Sequence, residues 1–178
     1  MILVGVVLAV IVGLLRGGRL DRLEHLGIKG LAFVWLALGM RVAAGMLAVR
    51  GFLFGPWFQV GAYVIFLYIM GRNLSLPGLK VFGLGSLLNF IVIVFNGGTM
   101  PVSVEAIAAA GIVREPVGTH SLLGAETRLW FLADVIPVRW PPQVLSVGDL
   151  LIVVGIFMFI QHRMLTEAET GRLVLGGE

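Results

Sequence analysis

Apolar residues are gathered in five long runs, which cover residues 1–15, 31–49, 52–71, 81–96 and 144–161. Runs of this kind predict helices that cross a bilayer. The first and fourth are short, because about 15 residues cover only ~23 Å of a hydrocarbon core ~30 Å thick. Isolated glycines inside several runs would let helices approach closely. The pattern predicts an all-α bundle of about five membrane spans, forming one domain over residues 1–178.

The composition agrees with a bilayer as the solvent for most of the chain. Mean hydropathy is +1.02 and charged residues make up 13% of the sequence, whereas soluble domains have roughly a quarter. Because there is no cysteine and the three histidines lie far apart, we expect no disulfide, no metal site and no cofactor. The charges lie between apolar runs, where they bear on membrane topology rather than on nucleic-acid binding.

Lys and Arg residues are distributed unevenly among the connections. Eight of them fall in residues 16–30, in residues 72–80 and in the tail after residue 161, against four at residue 50 and in the connection 97–143. Since basic connections stay in the cytoplasm, we expect a cytoplasmic C-terminus, with the N-terminus and the connection 97–143 outside. The first run has no basic segment or cleavage site before Arg16, so we expect it to be a retained span.

The connection 97–143 is the only long one, and long structured loops are usually functional. Within it SVEAIAAAG, residues 103–111, predicts a short helix with Ser103 as N-cap and Gly111 as the stop. An apolar and aromatic set follows, suited to the membrane interface; it comprises Trp130, Phe131, Leu132, Trp140, Pro141 and Pro142. We therefore expect an external cap that rests on the outer membrane surface.

Two of the three aspartates, Asp134 and Asp149, flank a proline turn. Asp149 ends a Ser-x-x-Asp motif in which Ser146 would cap the last helix and Asp149 would favour its positive N-terminal end. Asp134 has an equally simple interpretation as a solvated or capping loop carboxylate. Taken together, two carboxylates in an apolar setting would have raised pKa values and could share a proton, one activating water and the other acting as the acid. The sequence leaves both interpretations open.

Three other polar residues need an interpretation. Arg41 lies near the middle of the second run, where a charge is costly and normally faces a partner or a cavity. We expect it to bond Asn89 or Gln59 between helices, or to bind a lipid head group or a substrate. Asn96, followed by two glycines, predicts the end of the fourth helix, with substrate binding as the alternative. His120 has no partner at a fixed spacing, and we assign it no role.

The segment LADVIPVRWPPQVLSVGDLLIVVG, with FNGGTMPVS at residues 95–103, resembles a bacterial family of small integral membrane proteins described only as a domain of unknown function. That resemblance implies the bacterial cytoplasmic membrane. In layout the same segment is similar to the lipoprotein signal peptidase, a membrane aspartyl peptidase with four spans. There one catalytic Asp follows an apolar pair in the last external loop, and the other ends an Asn-x-x-Asp motif opening the last span. The similarity implies Asp134 and Asp149 as catalytic residues, with Ser146 at the Asn position and Arg128 as a loose counterpart of the family's Arg.

Two principal functions follow as hypotheses. The first is a non-enzymatic accessory or lipid-interacting membrane protein, with Asp149 bonded to its own helix N-terminus and Asp134 turned to water. The second is a membrane-embedded aspartyl hydrolase acting on a lipidated or membrane-bound substrate, with both carboxyls in one cleft lined by Asn96, Arg41 or Arg128. A small transporter with Arg41 as its pathway charge is a third possibility. The partners that these hypotheses imply are membrane lipids and a lipidated or membrane-bound substrate or protein partner.

Overall fold

Five long helices coincide with the five apolar runs. The structure, a computed structural model, describes residues 1–24, 26–113 and 116–166. The six α-helices of this part are α1 (Ile2–Leu15), α2 (Leu31–Val49), α3 (Gly55–Arg72), α4 (Leu79–Phe95), α5 (Val104–Ala109) and α6 (Val147–Leu165). The last apolar run, predicted to start at residue 144, begins as a strand, and its helix starts at Val147.

Two of these helices, α2 and α6, are long and apolar enough to cross a membrane, at 19 residues each. Helices α1 and α4 are also apolar but shorter, with 14 and 17 residues. Spans at all five long helices therefore stay a prediction. Of the basic residues on which the predicted orientation rests, Arg114 and Arg172 lie outside the described residues.

The connection between α4 and α6 carries strands, which the all-α prediction missed. They are β1 (Met100–Val102), β2 (His120–Leu122), β3 (Ile136–Arg139) and β4 (Pro142–Leu145). Strands β1 and β2 pair in parallel, and β3 and β4 form an antiparallel hairpin. Strands of three or four residues are too short to show a clear alternation of apolar and polar positions. We call residues 97–146 the cap, excluding 114 and 115.

The helix predicted inside the cap is confirmed as α5. Ser103 caps it, because the Ser103 hydroxyl accepts a hydrogen bond from the Ala106 amide at 3.1 Å. Gly111 follows the helix with φ +75°, a left-handed conformation that glycine adopts without a steric penalty. The cap rests on the C-terminal end of α4, where Ile93 packs in one apolar cluster with Met100 of β1.

Glycines bring α4 and α6 together as antiparallel neighbours. Gly85 of α4 lies against Gly148 of α6, and seven residues away Gly78, just before α4, lies against Gly155. A side chain at any of these positions would meet the backbone of the facing segment. Small residues of this kind allow close backbone approach, which is the main source of helix contact in lipid. Helix α1 packs on the same α6, and α2 packs on α3.

The end of the bundle opposite the cap is basic. Here the C-termini of α1 and α6 meet, since Arg16 donates to the Gln161 side-chain oxygen at 2.9 Å. Arg163 donates to the Leu26 carbonyl at 2.6 Å, which ties the start of α2 to the same place. The basic residues at this end are Arg16, Arg19, Arg22, Lys29, Arg72, Lys80 and Arg163.

The glycine contact predicts a position-specific effect of added volume in α4. In Gly85→Ala the new methyl carbon would lie 2.8 Å from Leu151 Cβ and 2.9 Å from the Ile152 nitrogen. We expect this overpacking to lower the free energy of unfolding by about 1–3 kcal/mol. Thermal unfolding of the purified protein in detergent measures it.

Gly83→Ala is the matched control on the same helix. Its methyl carbon would lie at an ordinary 3.6 Å from Met70 Cβ, so the helix should keep or slightly gain stability. Equal melting temperatures for the two variants would contradict a tight α4–α6 contact.

Candidate functional site

A cavity of about 360 Å³ lies between the cap and the ends of the long helices. Its polar lining residues come from four helices and from the cap; they are Arg41, Gln59, Tyr63, Asn89, His120, Asp134, Gln143 and Asp149. The structure thus brings both predicted aspartates and Arg41 to one cavity. Ser146 lies immediately behind its wall, bonded to Asn89 and Asp149.

Asp149 is held by the start of its own helix, and the predicted capping motif is confirmed. The Asp149 amide donates to the Ser146 hydroxyl at 3.0 Å, and an Asp149 carboxylate oxygen accepts from the Ser146 amide at 3.3 Å. The other carboxylate oxygen accepts from the buried side-chain amide of Asn89 at 2.8 Å, and the Ser146 hydroxyl donates to the Asn89 oxygen at 2.8 Å. Asn89 therefore joins the middle of α4 to the N-terminus of α6.

Asp134 is placed by its backbone, which extends the small sheet of the cap. Its amide donates to the Pro101 carbonyl at 3.0 Å, and its carbonyl accepts from the Ser103 amide at 2.9 Å. Its side chain is only 8% exposed, so the expectation that Asp134 turns to water was wrong. Among the described residues its Oδ1 atom has no hydrogen-bond partner. The nearest basic group to Oδ2 is His120 Nε2, at 3.8 Å.

Burial, reinforced by the negative charge of Asp149, raises the pKa of Asp134 to about 8. Partial burial of His120, whose side chain is 41% exposed, and the positive charge of Arg41 lower the pKa of His120 below its usual value. At neutral pH Asp134 is therefore mostly protonated and His120 neutral. Their 3.8 Å contact joins two uncharged groups and is not an ion pair, although the distance alone would allow one.

Arg41 faces the cavity without the bonds that we expected. Its guanidinium lies 5.3 Å from the centre of the Tyr63 ring, a cation–π distance. Its two predicted partners are engaged elsewhere, Asn89 with Asp149 and Gln59 with the Gly98 carbonyl at 3.4 Å. Within residues 1–24, 26–113 and 116–166 no carboxylate lies within 4 Å of this guanidinium.

Asn96 and Arg128 lie outside the cavity lining. Asn96 ends α4 as predicted, and its side chain holds the cap by accepting from the Arg128 amide at 3.0 Å and donating to the Arg128 carbonyl at 2.9 Å. The Arg128 residue is exposed. These bonds are made with the backbone, so they fasten a loop and present no side chain to the two aspartates.

Three cavity residues escaped the sequence analysis, which assigned no role to His120 and did not single out Tyr63 or Gln143. His120 reaches the cavity through the pairing of β2 with β1, in which it lies opposite Met100. No local pattern signals a contact between segments so far apart in the chain. In the described part of the chain no three His, Cys, Asp or Glu side chains cluster as a metal site would require.

The raised pKa of Asp134 predicts a fall in stability with rising pH. Below about pH 4 the carboxyl is protonated in the folded and unfolded states alike. Between about pH 4 and pH 8 the unfolded chain releases a proton that the folded chain keeps, so the free energy of unfolding decreases, and above about pH 8 it levels off. Asp134→Asn should remove this slope and raise the melting temperature at pH 8.

Asp21→Asn is the control for that titration. Asp21 is an exposed carboxylate whose pKa is lowered by its hydrogen bond with Arg19, so its removal should leave the profile between pH 5 and pH 8 unchanged. Melting curves for both variants and the parent chain across pH 4 to 9 measure the effect. A parent profile that matches that of Asp134→Asn would show that Asp134 is ionised in the folded protein.

Comparison with known proteins places the chain in a family without assigning an activity. An uncharacterized protein of Thermotoga maritima is 31% identical over 111 residues, which cover 58% of this chain and 64% of the relative. The chain thus spans slightly less than two thirds of that relative's length. No solved structure matches. A family model described as a family of unknown function, DUF5317, matches residues 25–161, and the chain belongs to this family.

Proposed function

We propose that the chain is an integral protein of the bacterial cytoplasmic membrane that binds the polar group of a membrane-derived ligand in its capped cavity. The membrane location of the chain is supported by the apolar side chains that the helices leave exposed, such as Trp35 at 70% and Val42 at 64%. Exposed apolar surface on this scale is costly in water and favourable in lipid. The five long helices then act as spans, α1 with the help of flanking residues.

The two ends of the bundle support an orientation. The end opposite the cap carries most of the basic residues of the described connections, so the positive-inside rule places that end in the cytoplasm and the cap outside. Three aromatic residues of the cap are more than half exposed, Trp130, Phe131 and Trp140. Aromatic side chains of this kind are favoured at the level of the lipid head groups.

The observation that carries the binding proposal is the set of donors facing the cavity. Arg41 contributes a cation without a carboxylate partner among the described residues, and protonated Asp134 contributes an O–H group. His120 and Tyr63 add polar groups to the same wall. The Asp134 carboxyl is buried and its Oδ1 atom has no hydrogen-bond partner among the described residues, and a buried polar group left without a partner is unfavourable. The cavity therefore suits an anionic group rich in acceptor oxygens, such as a phosphate.

The binding proposal predicts that Arg41 is required for stabilisation by a phosphate-bearing ligand. The purified protein is heated with dihexanoyl phosphatidic acid, with dihexanoyl phosphatidylcholine or with inorganic phosphate. We expect phosphatidic acid to raise the melting temperature. Because a hydrogen bond to a charged group contributes about 1.5–3 kcal/mol, Arg41→Gln should raise the phosphatidic acid concentration needed for a given melting-temperature shift by roughly tenfold to a hundredfold.

Arg50→Gln is the matched control, since Arg50 caps the same helix α2 outside the cavity lining. Phosphatidic acid should raise the melting temperature of Arg50→Gln as much as that of the parent chain. If inorganic phosphate alone gives the full shift, the ligand is a soluble anion and not a lipid. Equal shifts for Arg41→Gln and Arg50→Gln would contradict binding at this cavity.

A second candidate function, aspartyl hydrolysis of a lipidated peptide, is favoured by one specific observation. Asp134, whose pKa is raised to about 8 by burial, lines the same cavity as Asp149, and two carboxyl groups of which one keeps its proton at neutral pH can serve as acid and base toward water. Against it, both Asp149 oxygens already accept hydrogen bonds from Ser146 and Asn89. The transporter hypothesis receives no comparable support, because each of the long described helices is continuous.

The hydrolase hypothesis predicts that either aspartate is indispensable. With an internally quenched peptide carrying a diacylglyceryl cysteine, Asp134→Asn and Asp149→Asn should each lower the cleavage rate by about a hundredfold or more. Asp21→Asn, at the opposite end, should cleave as the parent does. Absence of cleavage by the parent chain, or full activity in Asp149→Asn, would exclude this mechanism and leave the binding proposal standing.

A further inference from the structure

A second cavity, of about 190 Å³, adjoins the polar one inside the helix bundle. Its lining is mostly apolar and includes Ala37, Leu38, Phe66, Phe82 and Ile152. Four residues line both this cavity and the polar one; they are Ile2, Arg41, Tyr63 and Asp149. The two cavities therefore share a wall and form a sequence from polar to apolar surroundings.

On the side of the bundle formed by α1 and α2, each of these helices contributes residues to both cavities. Helix α1 packs on α6 while α2 packs on α3. Two of the contributed residues are exposed, Leu3 of the polar cavity at 75% and Leu38 of the apolar cavity at 43%. Arg41 is exposed as well. In the proposed membrane this side of the bundle faces the hydrocarbon chains of the lipid.

We propose that the apolar cavity holds the hydrocarbon chain of a lipid whose anionic head group lies in the polar cavity and which enters sideways between α1 and α2. Arg41 stands at the junction, where the head group of such a molecule meets its chain. An apolar cavity of about 150 Å³ accommodates a benzene molecule, so the space here suits a segment of about six carbon atoms. The rest of the hydrocarbon chain extends between α1 and α2 into the bilayer.

This inference rests on the proposed binding function and adds the chemical class and route of the ligand. A soluble phosphate compound would use the polar cavity alone and would leave the apolar one without a role. A lipid uses both, because burying a chain beside Phe66 and Ile152 is as favourable as leaving it in the bilayer while the head group gains Arg41.

Photocrosslinking tests the position of the chain directly. The protein in phosphatidylcholine nanodiscs is irradiated with hexadecyl phosphate that carries a diazirine on its sixth carbon, and the labelled residues are mapped by mass spectrometry. We expect labels on the cavity residues Phe66 and Ile152, of which Ile152 is only 6% exposed. Labels confined to outward residues such as Leu36 and Val42, which are 50% and 64% exposed, would overturn the proposal.

A variant that fills the apolar cavity tests the same proposal. Ala37→Leu adds three carbons to a side chain that lines the cavity, and it should lower the cavity labels at least fivefold. Gly39→Leu adds the same kind of side chain on the same helix, at a position with open space around it, and should leave the labels unchanged. If Ala37→Leu does not fold, the map of the parent chain still decides the outcome.

The melting-temperature experiment with dihexanoyl phosphatidic acid distinguishes a failure of this inference from a failure of the function on which it rests. If dihexanoyl phosphatidic acid stabilises the protein through Arg41 but the diazirine labels only outward residues, the chain site is wrong and the binding function stands. If neither the stabilisation nor the cavity labels occur, both are wrong.

Discussion

The contact of α4 with α6 is the constraint on which the rest of the structure depends. The absence of side chains at Gly85 and Gly148 lets the two backbones touch, and only at that separation can Asn89 reach both Ser146 and Asp149. In lipid there is little hydrophobic gain in pairing two apolar helices, so packing and interhelical hydrogen bonds decide which helices meet. The same contact thus fixes the helix pair and the floor of the cavity.

The two aspartates of the cavity differ in the hydrogen bonds that their carboxyl groups make. Asp149 has a helix N-terminus, a hydroxyl-capped turn and an amide around it, and both of its carboxylate oxygens accept hydrogen bonds. Asp134 is held by main-chain bonds that leave its carboxyl group buried and only partly satisfied. A fold that keeps a buried acid at a cost in stability, when an uncharged residue of similar size would remove the cost, usually does so at a functional site.

Sequence patterns predicted the elements well where the signal was local. The apolar runs anticipated the five long helices, Ser103 and Gly111 delimited α5, and the Ser-x-x-Asp motif identified the cap of α6. The strands of the cap were missed because pairs of three or four residues depend on partners far along the chain.

The site was predictable to the extent that its residues are intrinsically unusual. An Arg within an apolar run and two acids near a proline turn indicated Arg41, Asp134 and Asp149 without the geometry that unites them. His120 could not be found this way, since it approaches Asp134 only through the β1–β2 register. Asn96 was a binding candidate because an amide that ends a helix and one that contacts a ligand look alike in sequence; in the structure it ends α4 and bonds the Arg128 backbone.

The hydrogen bonds of Asp134 also link the folding of the cap to the uptake of a proton. Its backbone pairs with the segment just after α4, and the next residue, Val135, donates to the Leu145 carbonyl at 3.1 Å, directly before α6. The segment around Asp134 is therefore held from both sides, by the chain that leaves α4 and by the chain that enters α6. In the unfolded chain the Asp134 carboxyl is open to water and ionised at neutral pH. Completion of the bundle consequently takes up one proton from the aqueous side on which the cap lies.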